Sequence, residues 1–335
     1  MKSTPNGEWL VSQPVKEALK ALEMTLLQVV ATQDLQLQVM TRYLIERGGK
    51  RLRPALVFLA ADFRRDQGED PNATLDEQLQ LAGAAMELMH VASLYHDDVM
   101  DRAPQRRKGE SANHHWGNLA ATLAGTFLFA RAAELMASLG EAANHMASES
   151  AFALCSGQLQ EVENAYNLEL SEDEYLKIIG RKTGVLFELP CRLGATLSSL
   201  HDEEMEALAD YGRNLGLAFQ LADDTLDLTG AAERMGKSTQ TDLREGVYSL
   251  PVLRAIQRQD GHAARLKELL PRTSLSTDEI QEIVQSIVAS GAVAEVKALA
   301  REYLRRARRA LDALPEGDAR ISLDRLAEFV VARNS

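Results

Sequence analysis

The sequence predicts an all-α fold, and three observations indicate it. Almost every apolar run in the 335-residue chain repeats at helical spacing, and alternating β-branched runs are nearly absent. Only 9 prolines and 21 glycines are spread over the chain, so long irregular segments are not expected. No heptad repeat is sustained, which favours a large helical bundle over a coiled coil. Because no linker rich in proline and serine divides the chain, we predict a single domain over residues 1–335.

The predicted helices follow one another with short connections. The first covers residues 15–47 and ends at Gly48-Gly49, where glycine permits the left-handed turn that closes many helices. Ser171 and Ser276 each precede a glutamate by three residues, which is the pattern of a capping box at a helix start. Further helices are predicted over 53–65, 75–102, 116–139, 141–166, 172–200 with kinks at Gly184 and Pro190, 202–229, 250–258, 277–289, 293–314 and 322–332. The main motifs fall within residues 48–251, and the C-terminal helices within residues 260–335.

Charge and cysteine content exclude several functional classes. Lys+Arg total 37 against 49 Asp+Glu, and the net charge of −12 is unfavourable for nucleic-acid binding, which depends on phosphate neutralisation. The two cysteines, Cys155 and Cys191, are too few for a disulfide framework or a thiolate zinc site. The N-terminus lacks the apolar region of a signal peptide, and the least polar stretch, residues 117–130, is shorter than a membrane span. We therefore expect a cytoplasmic protein without a transmembrane segment that does not bind nucleic acid.

One acidic motif occurs twice, each time near the end of a long apolar helix. Residues 97–101 read Asp-Asp-Val-Met-Asp, and residues 223–227 read Asp-Asp-Thr-Leu-Asp. On a helix, Asp97 and Asp101 share a face because they are four residues apart, as do Asp223 and Asp227. A solvated acidic face is the simpler explanation of one copy, but the apolar flanks and the duplication favour a bound cation. Oxygen ligands with room for phosphate oxygens suit Mg²⁺.

Basic residues supply a matching set of anion ligands. Lys50, Arg51 and Arg53 follow the end of the first helix, Arg106 and Arg107 follow the first acidic motif, and Lys182 lies within a helix. Arginine binds phosphate oxygens in pairs, while lysine acts as a point charge. His90 lies seven residues before Asp97 on the same helix face, and Gln220 lies three residues before Asp223. A lone histidine there is either a buried core residue or a donor to a phosphate oxygen, and the sequence leaves both open.

These residues together resemble a known family. Gly-Gly-Lys-Arg-Leu-Arg-Pro at 48–54, Glu-Leu-Met-His-Val-Ala-Ser-Leu-Tyr-His-Asp-Asp-Val-Met-Asp at 87–101 and Arg106-Arg107 are similar to motifs of the trans-prenyltransferases. The same holds for Lys-Thr-Gly at 182–184, Phe-Gln-Leu-Ala-Asp-Asp-Thr-Leu-Asp at 219–227 and the stretch 236–246. This is the polyprenyl diphosphate synthase family of isoprenoid biosynthesis. The resemblance implies a homodimer of all-α, isoprenoid-synthase-like bundles around a deep central cavity, with the aspartate motifs at its mouth.

The resemblance also implies a role for each matching residue. The substrates would be isopentenyl diphosphate and an allylic prenyl diphosphate, joined with Mg²⁺ as cofactor and with Asp97, Asp101, Asp223 and Lys182 as catalytic residues. Implied ligands are Asp97, Asp101 and Asp223 for Mg²⁺; Arg106, Lys182, Thr183, Gln220 and Lys237 for the allylic diphosphate; and Lys50, Arg53, His90 and Arg107 for isopentenyl diphosphate. The chain departs from the family pattern at Thr126, where many members have Asp, and at Val247, where many have Lys.

Product length is expected to depend on the side chains below the first aspartate motif. Short-chain members place aromatic rings four or five residues before the first Asp, where this chain has Ser93 and Ala92. Met89 is the next bulky side chain, and it is flexible. Phe127 or Phe129 of the neighbouring helix could then form the floor of the cavity. We predict a product longer than twenty carbons, roughly thirty to fifty, because the helix back to Leu79 offers roughly 27 Å. The alternative is a geranylgeranyl-length product.

Two alternatives of another kind remain open at the level of sequence. A class I terpene cyclase shares one aspartate-rich motif and Mg²⁺, but it has no second diphosphate to bind and so needs no pocket of the Lys50, Arg53 and His90 type. A non-catalytic subunit of a heteromeric synthase generally loses aspartates from the motifs, whereas this chain keeps both sets.

Overall fold

The computed structural model describes residues 9–66, 68, 72–107, 109–234, 243–259 and 261–332. Within these ranges the regular structure is helical apart from one antiparallel hairpin, β1 (Gln105–Arg106) and β2 (Gly109–Glu110). The helices are α1 (Gln13–Val29), α2 (Leu35–Glu46), α3 (Leu52–Asp66), α4 (Ala73–Met100), α5 (Ala112–Trp116), α6 (Asn118–Ser138), α7 (Glu141–Glu163), α8 (Glu172–Ile179), α9 (Val185–Leu197), α10 (Asp202–Arg234), α11 (Leu250–Ile256), α12 (Gly261–Leu269), α13 (Thr277–Ala289), α14 (Ala292–Ala310) and α15 (Asp318–Ala332). A π-helical turn, Gly180–Gly184, joins α8 to α9.

The described residues form two compact units, each assembled from separate stretches of chain. Unit 1 contains residues 9–150, 186–210 and 310–326. Unit 2 contains residues 151–185, 211–309 and 327–332. The first aspartate motif belongs to unit 1 and the second to unit 2.

Helix α4 forms the centre of unit 1. Its middle section is mostly apolar, with Glu87 and His90 as exceptions, and almost wholly buried, as expected of a helix surrounded by others. Helices α1, α3, α5 and α6 pack against it. The side chain of Asn72 caps its start by accepting from the Leu75 N–H at 2.9 Å. The last turn of this buried helix carries the first aspartate motif, so the motif stands on a firmly held element.

Unit 2 has its own apolar core, built from α8, the buried side of α10 and helices α11 to α14. The capping boxes predicted at Ser171 and Ser276 are both present, with Glu174 and Glu279 as their partners. Tyr248 is buried in this core, and its hydroxyl donates to the Leu270 carbonyl at 2.5 Å. The second aspartate motif lies on α10 beside this core.

The helices predicted from the sequence are mostly present, but several predicted boundaries are wrong. The predicted helix 15–47 is two helices, because the Asp34 side chain accepts from the Leu37 N–H at 3.0 Å and starts α2 anew. The predicted helix 172–200 is interrupted by the π-helical turn, which ends at Gly184, whereas Pro190 lies inside α9. Helices α5 and α12 and the hairpin were not predicted. Gly48 adopts the expected left-handed conformation, with φ of 78°.

Within the described ranges, one helix is long and apolar enough to cross a bilayer. This is α6, and 39% of its most apolar window is buried in the structure. A second candidate is a pair, Thr277–Ala289 and Ala292–Ala313, which is bent by 60°. Helix α6 is thus longer than the apolar stretch recognised in the sequence.

Candidate active site

The first aspartate motif closes helix α4. Asp97 lies in its last turn and Asp101 is the C-cap residue, whose N–H donates to the Asp97 carbonyl at 2.8 Å. This hydrogen bond preserves the helical register, so the four-residue spacing predicted from the sequence holds. Asp97 and Asp101 are both half-buried. Their carboxylates therefore stay accessible to a ligand at the end of the helix.

Asp98, between them, has a different environment. It is buried and binds the Arg106 guanidinium, with Nε and Nη2 at 2.7 and 2.5 Å from its Oδ1. Burial raises the pKa of the Asp98 carboxyl, and Arg106 opposes that rise. The structure thus ties the arginine predicted to bind the allylic diphosphate to the middle aspartate of the motif. Arg106 retains further N–H donors for an anion.

A cluster of cations surrounds His90 on α4. Burial and the neighbouring Arg53, Arg107, Arg106 and Arg51 hold the pKa of the His90 imidazole well below its ordinary value of 6.5. Burial likewise lowers the pKa of the Arg53 guanidinium to about 10, and its repulsion from Arg107 acts in the same direction. Positive charges gathered in a half-buried place favour binding of an anion, since the negative charge stabilises each of them. The structure therefore brings together three of the four residues predicted to bind isopentenyl diphosphate.

Arg53 has the clearest unfilled hydrogen-bonding capacity. Its Nε is buried and has no hydrogen-bond partner among the described residues. Its guanidinium carbon lies 5.0 Å from the centre of the Phe187 ring, which supports the side chain from one side. Lys50, the fourth predicted ligand, lies half-buried in the short connection before α3. A buried donor without a partner is uncommon, and this one keeps a hydrogen bond to give to an anion.

Two carboxylates of this region were missed by the sequence analysis. Glu87 is buried on α4, with its Oε1 at 2.6 Å from Arg51 Nη1 and 3.5 Å from Arg107 Nη2. Glu23 on α1 binds Arg51 with both oxygens, at 2.8 and 3.0 Å. Burial disfavours the charge of Arg51, but Glu87 and Glu23 outweigh it and raise the pKa of the guanidinium. Arg51 is therefore a structural residue. The available signal was Glu87 itself, a glutamate in an otherwise apolar helix three residues before His90.

The second aspartate motif is organised by a chain of hydrogen bonds within unit 2. The Tyr175 hydroxyl donates to Asp224, and Gln220 Nε2 donates to the other Asp224 oxygen at 3.0 Å. Thr183 Oγ1 in turn donates to Gln220 Oε1 at 2.8 Å. Burial raises the pKa of the Asp224 carboxyl to about 7, although both hydrogen bonds lower it. Two predicted ligands, Thr183 and Gln220, are thus adjacent, while Asp223 is half-buried beside Asp224.

Lys182 and Thr183 lie on the π-helical turn. Turns of this kind are rare and frequently occur at functional sites. Lys182 Nζ lies 2.5 Å from Glu161 Oε1 of α7. Helix α7 approaches closely here, because a Cβ at Gly157 would lie only 2.8 Å from the Lys182 backbone nitrogen. Lys237, the remaining predicted allylic ligand, lies outside the described residues, as does the adjoining stretch to residue 242.

The donor set fits a divalent cation that shares its ligands with a substrate. No group of three His, Cys, Asp or Glu side chains in the described part of the chain could hold a metal ion by itself. Mg²⁺ does not require such a group, because it is usually bound by one or two carboxylates together with water and substrate phosphates. Asp97 and Asp101 provide one such pair of carboxylates.

The residues predicted to control chain length lie one to two turns below the first motif. Met89 and Ala92 are buried in α4, and Ser93 is half-buried, with its hydroxyl donating to the His90 carbonyl at 2.9 Å. Phe127 and Phe129 lie half-buried on α6, which packs along α4. The departure at Thr126 is exposed on α6, where its hydroxyl donates to the Thr122 carbonyl at 2.9 Å. Val247 is half-buried after Gly246.

An all-α protein with two aspartate motifs and a partly buried arginine cluster has the features expected of an enzyme that binds organic diphosphates. The chain belongs to the polyprenyl synthetase family, whose model matches residues 34–287. It is 38% identical over 292 residues to a nonaprenyl diphosphate synthase of Mycobacterium tuberculosis, covering 87% of this chain and 85% of the relative. It is 33% identical over 321 residues to heptaprenyl diphosphate synthase component 2 of Geobacillus stearothermophilus, covering 96% and 97%.

The fold agrees with the same family. A crystal structure of a polyprenyl synthase from Caulobacter crescentus, complexed with calcium and isoprenyl diphosphate, superposes with a TM-score of 0.88 at 34% identity. The match covers 96% of this chain and 97% of that one. The prediction of an isoprenoid-synthase-like all-α fold is confirmed.

Proposed function

We propose that this protein is a Mg²⁺-dependent trans-polyprenyl diphosphate synthase that condenses isopentenyl diphosphate head to tail with an allylic diphosphate. The observation that carries the proposal is the half-buried cluster of Arg53, His90 and Arg107, which lies close to the first aspartate motif because His90 precedes Asp97 by two turns of α4. A cyclase that binds a single diphosphate has no use for this second anion site. A non-catalytic subunit has no need to keep the aspartates of both motifs.

Each group of residues has a separate task in this reaction. By the family resemblance, Asp97, Asp101 and Asp223 would hold the metal, and Arg106, Lys182, Thr183, Gln220 and Lys237 would bind the allylic diphosphate. Arg53, His90, Arg107 and Lys50 hold isopentenyl diphosphate. Because His90 is neutral when the cluster is empty, it can donate one hydrogen bond to a phosphate oxygen without adding charge.

The reaction needs a leaving group and a dry cavity. A divalent cation held by the aspartates would offset the charge of the allylic diphosphate and make it a better leaving group. When the allylic C–O bond breaks, the C3–C4 double bond of isopentenyl diphosphate attacks the cation, and a proton is lost from C2 to the departing diphosphate. The α4 section before Asp97 is mostly apolar, so a reaction beside it would be shielded from water. No side-chain nucleophile is required.

The small side chains below the first motif support a long product. Ala92 and Ser93 are small residues at positions where a ring would stop elongation, and the Met89 side chain is flexible. The relatives named for nine-unit and seven-unit products agree with this size. We propose a product longer than twenty carbons, in the range of roughly thirty to fifty, which corresponds to about the length of helix available below Asp97.

The enzyme is proposed to act in the cytoplasm as a homodimer. In unit 1, α6 exposes one apolar face, with Leu119 76% exposed and Leu123 beside it one turn later. In unit 2, α7 exposes Phe152, Leu159 and Val162, with Phe152 at 77%. Apolar faces of this size usually mark an interaction surface. A second copy of the chain would cover them.

Replacing Asp97 by Ala tests the proposed function. We expect consumption of isopentenyl diphosphate in Mg²⁺ to fall by at least about 100-fold, because metal binding is lost. The circular dichroism spectrum should be unchanged, since Asp97 is half-buried at the end of a helix. Asp278→Ala, at an exposed aspartate in the first turn of α13, is the matched control and should keep full activity. Full activity of the Asp97→Ala protein would refute the assignment.

A further inference from the structure

We infer that Glu87 is a positioning residue of the isopentenyl diphosphate pocket: its buried carboxylate holds the Arg107 guanidinium in place and balances the cations that converge on His90. This inference rests on the proposed function. It concerns a residue that touches neither the metal nor the substrate but acts through the arginines.

The position of Glu87 supports this role. The side chain is 2% exposed and comes from the middle of α4, one turn before His90. Its Oε1 lies 2.6 Å from Arg51 Nη1 and 3.5 Å from Arg107 Nη2. One carboxylate oxygen thus joins an arginine that precedes α3 to an arginine of the hairpin region. Both arginines have left-handed backbone conformations, with φ of 48°, so each backbone is held in an uncommon state.

Charge balance gives a second argument. Arg51, Arg53, Arg106 and Arg107 all act on His90 from close range. The Asp98 carboxylate offsets the charge of Arg106, and the more exposed Glu23 carboxylate offsets the charge of Arg51. Glu87 is the carboxylate that attracts Arg51, Arg53 and Arg107 together. Removing one member of a buried charge network leaves the others uncompensated, which is strongly unfavourable.

A positioning role of Glu87 can be distinguished from a purely structural one, because Arg51 has other partners. Its guanidinium also binds Glu23 through two hydrogen bonds and donates to the Ile45 carbonyl at 2.9 Å. If Glu87 served only to anchor Arg51, losing either glutamate would have a similar effect. Arg107 donates to the Leu44 carbonyl at 2.5 Å and pairs with Glu87, and within the described part of the chain Glu23 forms no ion pair with it. Glu23 is therefore a matched control that shares Arg51 but not the pocket.

The experiment compares Glu87→Gln with Glu23→Gln in steady-state kinetics with both substrates. We expect Glu87→Gln to raise the KM for isopentenyl diphosphate about tenfold, while the KM for the allylic diphosphate and kcat stay within about twofold. Glu23→Gln should leave both KM values within about twofold of wild type. Combining Glu87→Gln with Arg107→Met should add little to the effect of Arg107→Met alone, because Glu87 acts through Arg107.

The outcomes are separable from those of the proposed function. Wild-type protein that consumes no isopentenyl diphosphate refutes the proposed function. An active wild type in which Glu87→Gln and Glu23→Gln change the two KM values alike refutes the positioning role alone. If Glu87→Gln does not fold, Glu87→Asp takes its place, since it keeps the charge but withdraws the carboxylate from Arg107. The same comparison with Glu23→Gln then decides the question.

Discussion

At the scale of single residues, burial decides which side chains can bind a ligand and which are used internally. Asp98 and Asp224 are chemically equivalent to their neighbours in the motifs, yet the first binds Arg106 and the second binds Tyr175 and Gln220. The sequence identified the aspartates, arginines and His90 from their spacing. It could not identify Glu87 or Tyr175 as their partners, because those contacts join residues that are distant in sequence.

His90 provides a prediction at this scale. Its pKa lies well below 6.5 in the folded chain, so it should remain neutral in ligand-free protein at pH 6. Inorganic pyrophosphate should raise that pKa, because its negative charge offsets the surrounding arginines. NMR of the imidazole, assigned with His90→Gln, measures both states. A His90 signal that titrates near 6.5 without ligand would contradict the description of the cluster.

The same depressed pKa affects stability. The unfolded chain takes up a proton at His90 near pH 6.5, whereas the folded chain does so only at lower pH. Stability therefore rises with pH through this window. The contribution of His90 is fully present above pH 6.5 and is lost as the pH falls towards the folded-state pKa. Denaturant unfolding between pH 5 and 8 should show a smaller pH dependence for His90→Gln than for wild type, and an identical slope would exclude this contribution.

At the scale of elements, periodicity predicts helices well and their interruptions poorly. Helix α13 was predicted at its observed bounds, because its apolar positions and capping box both mark it. The break at Asp34 was missed, since the apolar periodicity continues across it. The π-helical turn at Gly180–Gly184 was also missed as such, because it depends on how closely α7 approaches. That turn carries Lys182 and Thr183, so the missed element is part of the candidate site.

Two glycines test the importance of this turn. A Cβ at Gly157 would lie 2.8 Å from the Lys182 nitrogen and 2.9 Å from the Arg181 Cβ. Gly157→Ala should therefore destabilise the fold by about 1–3 kcal/mol and reduce turnover. Gly180→Ala is the control, since its Cβ would meet only Leu217 at an ordinary 3.8 Å and its φ of −61° suits alanine. Thermal unfolding and turnover of both variants test the close packing of α7 against the turn. Equal melting temperatures of Gly157→Ala and Gly180→Ala would contradict it.

At the scale of the whole molecule, the net charge predicted that any polyanionic ligand must be met by local basic clusters or by metal ions. The arginine cluster meets that need in a chain with a net charge of −12. The single-domain organisation stays a prediction. The homodimer was implied by the family resemblance alone, because the exposed face of α6 became visible only when the buried face was known.

The proposed homodimer is tested on α6. Leu123→Glu places a charge on the exposed apolar face, where it would be buried against a second copy at high cost. We expect wild type to run as a dimer in light scattering and Leu123→Glu as a monomer. Met24→Glu, at an exposed methionine on α1, should leave the dimer intact. A monomeric wild type, or an unaffected Leu123→Glu, would exclude this interface.

The product itself tests the central claim most directly. The purified chain should be incubated with Mg²⁺, isopentenyl diphosphate and each short allylic diphosphate, and the product mass measured for wild type and Ser93→Phe. We expect a wild-type product longer than twenty carbons, roughly thirty to fifty, to match the length of helix α4 before Asp97. Ser93→Phe should make a shorter product and should still carry out the first condensation. A wild-type product of fifteen carbons, an unchanged length distribution in Ser93→Phe, or no consumption of isopentenyl diphosphate would contradict it.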